Sequence, residues 1–132
     1  MARTELPRPT EGELAILRVL WSDGPCTVRT IQEILLQKQP TGYTTVLKLL
    51  QIMTEKGLVL RDESERSHVY RASRTEAQTQ KQLVGDLLDR AFGGSALKLV
   101  MQALSSRKTS TQELTEIRTL IERLERERGT ES

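Results

Sequence analysis

Thr41-Gly42-Tyr43-Thr44-Thr45-Val46-Leu47-Lys48-Leu49-Leu50-Gln51-Ile52-Met53-Thr54-Glu55-Lys56-Gly57 is the stretch on which the fold turns. Val46, Leu49, Leu50 and Met53 recur at three- and four-residue steps, the period of a helix buried along one stripe. Pro40, Thr41 and Gly42 supply turn chemistry at its start. Lys56 and Gly57 supply the charge and the residue that favour a helix stop. The opposite face carries Thr44, Thr45, Lys48 and Gln51, hydrogen-bonding side chains suited to the base edges and phosphates of a DNA major groove. Any amphipathic helix has a polar outer face, so the neighbours of this stretch decide its role.

Upstream, Thr10-Glu11-Gly12-Glu13 spells a capping box that satisfies two amide donors at a helix start. The pattern predicts a first helix to about Trp21, with Leu14, Leu17 and Trp21 on one stripe and Ile16 and Leu20 beside it. Gly24-Pro25 stops it. Thr27 is a good N-cap for a second helix from Val28 to about Gln37, whose apolar stripe is Val28, Ile31, Ile34 and Leu35. Two short helices joined by a tight turn, with another packed before them, are the minimum plan of a helix-turn-helix domain.

Downstream of Gly57 the hydrophobic period changes from 3.6 to 2. Residues 58–62 and 67–72 read as two strands joined by Glu63-Ser64-Glu65-Arg66. A two-stranded hairpin is marginal alone and must rest on the helices. The prediction is therefore mainly α with a small β-hairpin: a winged helix-turn-helix domain followed by a helical dimerisation region. Arg61, Arg66 and Arg71 could reach phosphates from the wing, but Asp62, Glu63 and Glu65 interrupt them, so phosphate positioning is expected of one or two and base reading is not.

The remaining chain is helical. Ser73-Arg74-Thr75-Glu76 reads as a second capping box before a helix to about Phe92, broken by Gly93-Gly94-Ser95. A short helix over 96–104 follows, then a last helix opened by Ser110-Thr111-Gln112-Glu113. Leu114, Ile117, Ile121 and Leu124 alternate at steps of three and four, a two-heptad seam. With so little aromatic mass these helices make a poor core alone, so they are expected to pair with a second copy. The dimer contacts expected are Leu83, Leu87, Leu97, Met101, Leu114, Ile117, Ile121 and Leu124. The boundaries read as a flexible arm over 1–9, the winged helix over 10–73, the dimerisation region over 74–128 and a frayed tail over 129–132.

Composition narrows the function classes. The 132 residues carry a net charge of only +2, and the excess lies in the first part: residues 1–74 hold eleven Lys/Arg against nine Asp/Glu. A binding protein needs a local basic face rather than a global excess. No run of about eighteen apolar residues suggests a membrane span, and the N-terminus lacks a signal peptide's apolar core. The single Cys26 fits a reducing compartment, and a cytoplasmic protein is expected. No phosphate loop, nucleophile–base pair or metal spacing occurs, so neither catalysis nor a cofactor is expected. Cys26 reads as a small buried residue, His68 as a surface residue of the wing and Trp21 as core.

The fragments Thr10-Glu11-Gly12-Glu13-Leu14, Leu20-Trp21 with Gly24-Pro25, Thr27-Val28-Arg29, Gly42-Tyr43-Thr44-Thr45-Val46, Glu55-Lys56-Gly57-Leu58-Val59 and His68-Val69-Tyr70 resemble, in this order and spacing, the BlaI/MecI (penicillinase repressor) family. The resemblance is close over residues 8–72 and one of layout beyond. It implies a dimeric winged-helix repressor whose third helix, residues 42–56, reads the major groove of a palindromic operator in double-stranded DNA. The expected contacts are Tyr43, Thr44, Thr45, Lys48 and Gln51, with Arg29 on the second helix and Arg61 and Arg66 in the wing. It also implies a membrane-bound sensor metalloprotease as a possible partner, since some family members are inactivated by cleavage at an Asn-Phe pair. Leu99-Val100 stands at the equivalent place, a departure from that pattern. Copper-responsive members carry paired Cys-x-Cys ligands that this chain lacks. The competing reading is a winged helix used only for protein–protein contact.

Overall fold

The computed structural model describes residues 7–131, and these fall into two compact units that meet at Gly85–Asp86. The first holds α1 (Glu11–Asp23), β1 (Cys26–Thr27), α2 (Val28–Leu36), α3 (Tyr43–Lys56), β2 (Val59–Asp62) and β3 (Val69–Ala72). α4 (Glu76–Ala91) crosses the boundary, and α5 (Ala96–Ser106) and α6 (Thr111–Glu131) complete the second. Most of the expected arm over 1–9 lies outside the described residues, as does Ser132.

The first unit is built as a winged helix. Ile16, Leu17, Val19 and Leu20 of α1 meet Val28 and Ile31 of α2, Val46, Leu50 and Met53 of α3, and Leu58, Val59 and Tyr70 of the wing. The stripe of α1 is rotated from the expected one: Ile16 and Leu17 are buried, while Leu14 and Trp21 are half-buried. α1 opens as predicted, with Thr10 Oγ1 accepting from the Glu13 amide and Glu13 Oε1 accepting from the Thr10 amide. α3 closes in a Schellman turn. The Leu58 amide bonds the Met53 carbonyl and the Gly57 amide the Thr54 carbonyl. Gly57 stands at φ 81°, ψ 14°, which an L side chain adopts at a cost.

The predicted two-stranded hairpin is one strand short. The sheet has three antiparallel strands in the order β1-β3-β2, with Cys26 opposite Tyr70 and Thr27 opposite Val69. β1 is only two residues long, too short to show a period, and Thr27 serves twice. It is a strand residue at φ −81°, ψ 166° and the N-cap of α2, its hydroxyl accepting from the Thr30 amide. The wing is thereby fastened to the helix-turn-helix instead of merely resting on it.

The second capping box also falls two residues later than expected. Thr75 and Gln78 exchange the side-chain-to-amide bonds, so α4 starts at Glu76 with Ser73 outside it. Ser73 instead donates its hydroxyl to the Gly57 carbonyl at 2.6 Å, joining the exit of β3 to the end of α3. Trp21 Nε1 donates to the Arg74 carbonyl at 3.0 Å, so the indole joins α1 to the segment entering α4.

In the second unit Ser95 caps α5 by accepting from the Lys98 amide, and Ser110 caps α6 by accepting from the Glu113 amide. α5 runs two residues past the expected 104, and α6 continues as helix to Glu131 where fraying was expected after 128. Among the described side chains of residues 86–129, none is fully buried. No helix of the described residues is long and apolar enough to cross a membrane.

Candidate nucleic-acid interface

The geometry of α3 follows from its sequence at both ends and on both faces. Val46, Leu50 and Met53 are wholly inaccessible, which rolls Tyr43, Thr44, Thr45, Lys48 and Gln51 to the outside, all of them exposed. At the C-terminal end, Lys56 donates to Glu13 Oε1 at 2.7 Å, tying α3 to the start of α1. Burial works against the Glu13 charge. The Lys56 ammonium and the Thr10 donors outweigh it and hold the carboxyl below its ordinary value. Midway, Gly12 of α1 faces Leu49, where a Cβ would stand 3.4 Å from Leu49 Cδ1, an ordinary van der Waals contact.

At the N-terminal end the turn is fixed by Gln32, whose amide donates to the Thr41 carbonyl at 3.2 Å. Thr41 in turn donates its hydroxyl to the Gln39 carbonyl. Gly42 occupies the N-cap with no side-chain bond to the helix, so the first amides of α3 are left to outside partners. Beside them, the Arg29 guanidinium lies 6.0 Å from the centre of the Tyr43 ring, a cation–π spacing. Two of the expected contacts, one on α2 and one on α3, thus form a single corner.

The wing side chains behave differently. Arg66 is exposed and makes no ion pair among the described residues. Arg61, expected as a phosphate contact, is already engaged within the wing. Its Nε and terminal nitrogen lie 2.9 and 2.7 Å from Glu63 Oε2, and its pKa is raised first by the Tyr70 side chain and then by Glu63. Asp62 Oδ1 accepts from the Ser64 amide, which shapes the loop and holds that carboxyl below its ordinary value. His68 is exposed just before β3.

Six of the eight expected dimer contacts are exposed within one chain. Leu97 is 69% exposed, Met101 55%, Ile121 49%, Leu87 46%, Leu124 42% and Leu114 40%, while Leu83 and Ile117 are half-buried. Leu99 is half-buried and Val100 exposed, both within α5. Cys26 is buried, with its thiol on the Gly24 carbonyl. Burial, and then the Asp23 charge, push that thiol above its ordinary pKa. No group of three or more His, Cys, Asp or Glu side chains that could hold a metal ion occurs among the described residues.

Reasoning from sequence missed Gln32, Glu13 as a partner of Lys56, and Ser73 as a tie to Gly57. Gln32 falls outside the apolar stripe of α2 with no local pattern to distinguish it, and the other two pairs join residues 43 and 16 positions apart.

Three packed helices closed by a β-wing, with a polar face of the third turned outward, define a winged-helix protein. The chain belongs to the penicillinase repressor family, whose model matches residues 9–123. It is 39% identical over 67 residues to the transcriptional regulator BlaI of Mycobacterium tuberculosis, in strains CDC 1551 / Oshkosh and ATCC 25618 / H37Rv alike. That match covers 50% of this chain and 49% of the relative, so the chain spans about half the length of the curated relatives it matches.

Proposed function

We propose that the protein is a sequence-specific transcriptional repressor that binds a palindromic operator as a homodimer, with α3 in the major groove of each half-site. The observation that carries the reading is the division of α3 into a wholly inaccessible stripe and an exposed face of Tyr43, Thr44, Thr45, Lys48 and Gln51. The Arg29–Tyr43 corner adds a positive charge where the uncapped amides of α3 would meet a phosphate. Lys48 makes no ion pair among the described residues and is available to DNA.

The homodimer is supported by the second unit. Apolar side chains on α5 and α6 that find no cover within one chain are covered by pairing. A two-fold protein then matches a two-fold site, with half-sites a whole number of helical turns apart. The family and the named regulators support the coarser part of this reading, a transcriptional repressor.

A salt titration against a palindromic and a scrambled duplex tests it. Phosphate contacts make log K fall linearly with log salt on both, while base contacts add affinity on the palindrome alone. Equal affinity for the two duplexes would overturn the sequence-specific reading, and no affinity for either would leave only a protein-contact role for the wing and helices.

A further inference from the structure

We propose that Glu63 is a charge latch on the wing: by holding the Arg61 guanidinium it denies the wing a phosphate contact and leaves discrimination to α3. The inference rests on the DNA-binding reading above and names a determinant of sequence-independent affinity within it. Glu63 Oε2 takes both the Nε and a terminal nitrogen of Arg61, at 2.9 and 2.7 Å, the charge-assisted geometry that a phosphate would otherwise receive. The pair sits where β2 passes into the wing loop, with Arg61 opposite Tyr70 in the register. Glu63 and Arg61 are both reachable from solvent, so an approaching phosphate competes directly for the same donors.

The charge pattern of the wing agrees. Between residues 61 and 71 three arginines stand against Asp62, Glu63 and Glu65, which makes the hairpin neutral with His68 uncharged. A neutral wing adds little to sequence-independent affinity, the component that scales with the number of phosphates neutralised. The exposed face of α3 then accounts for a larger share of what binding there is. Releasing Arg61 would add a contact indifferent to sequence, raising affinity for operator and scrambled duplexes alike and leaving the ratio between them to α3.

The test is a mutant cycle of Glu63→Gln and Arg61→Gln on the full chain, with Glu65→Gln as a control for simple removal of a wing carboxylate. Dissociation constants are measured on the palindromic and scrambled duplexes across a salt series. In parallel, the Arg61 Nε–H resonance is followed in the DNA-free protein. The latch predicts that Glu63→Gln shifts that resonance, tightens binding to scrambled DNA about three- to tenfold at low salt and steepens the salt slope by about one. In the Arg61→Gln background the gain should fall below about twofold. Equal gains from Glu63→Gln and Glu65→Gln, or an equal gain with and without Arg61, overturn the latch in favour of general repulsion. An unmoved resonance also overturns it, because the pair is then not formed in solution. A protein whose resonance moves but which binds neither duplex at low salt overturns the repressor reading, and the latch's role falls with it.

Discussion

Glu13 and Lys56, 43 residues apart, share a 2.7 Å ion pair in which the carboxylate is 2% exposed and the ammonium 25%. The same Glu13 oxygen takes the Thr10 amide, so one atom joins the cap of α1 to the last turn of α3. The pair therefore ties the start of α1 to the helix whose outer face is proposed to meet DNA. Removing Lys56 leaves the Glu13 carboxylate buried without its ion-pair partner, whereas removing Glu13 leaves Lys56 able to reach solvent.

The first prediction concerns acid. Because folding holds the Glu13 carboxyl below its ordinary value of 4.5, the pair's contribution is complete above that value and lost as pH falls through the folded one. Lys56→Met should lower the unfolding free energy at pH 7 by about 2–3 kcal/mol, and Glu13→Gln by somewhat less because its amide oxygen can still accept from Thr10. Urea melts at pH 7 and pH 3 should show the wild type losing more stability than Glu13→Gln over that interval. Identical losses would mean that the pair adds nothing.

Arg29 and Tyr43 supply the second. Both are exposed, so their 6.0 Å contact should contribute only about 0.5–1 kcal/mol to the free protein. On DNA they should act as a unit. Single changes to Ala at either position should each weaken operator binding, and the double change should cost less than their sum. Strict additivity in a mutant cycle of dissociation constants would show that the corner does not act together.

Thr45 and Lys48 lie on the same exposed face but should separate in their effects. Thr45→Ala should weaken operator binding more than random-DNA binding, because an oriented contact exists only in the docked register. Lys48→Ala should weaken both and flatten the salt slope by about one. An unchanged slope would place Lys48 away from phosphate.

Ile121 tests the pairing of subunits. At 49% exposure within one chain, its replacement by Asp costs little in an isolated subunit, whereas in a helix seam it buries an unpaired charge. Ile121→Asp should halve the sedimenting mass, remove most operator affinity and leave the melting of the first unit unchanged. An intact dimer would put the interface elsewhere.

Much of this architecture is legible in the chain because its signals are local. The Thr10 capping box, the Gly57 stop and the buried stripe of α3 each depend on residues within a few positions of one another, and each is found where expected. What escaped has other causes. β1 is two residues long and has no period, so the third strand is visible only once Val69 and Tyr70 are in place beside it. The T-x-x-Q box at Thr75 competes with an S-x-x-E box two residues earlier, and the hydroxyl of Ser73 is drawn off to Gly57. In the candidate site, the outward face of α3 follows from period alone. The engagement of Arg61 depends on which neighbouring carboxylate the loop turns toward it, and composition leaves that choice open.

The indole of Trp21 has a practical consequence. It is the chain's one tryptophan, half-buried, with its nitrogen on the carbonyl of Arg74. The protein carries its own optical gauge at the place where the wing hands the chain over to α4. Emission follows that junction alone, while far-ultraviolet dichroism follows every helix at once. Melting curves that coincide would mean one cooperative structure, and curves that part would resolve the two compact units as separate transitions without any label.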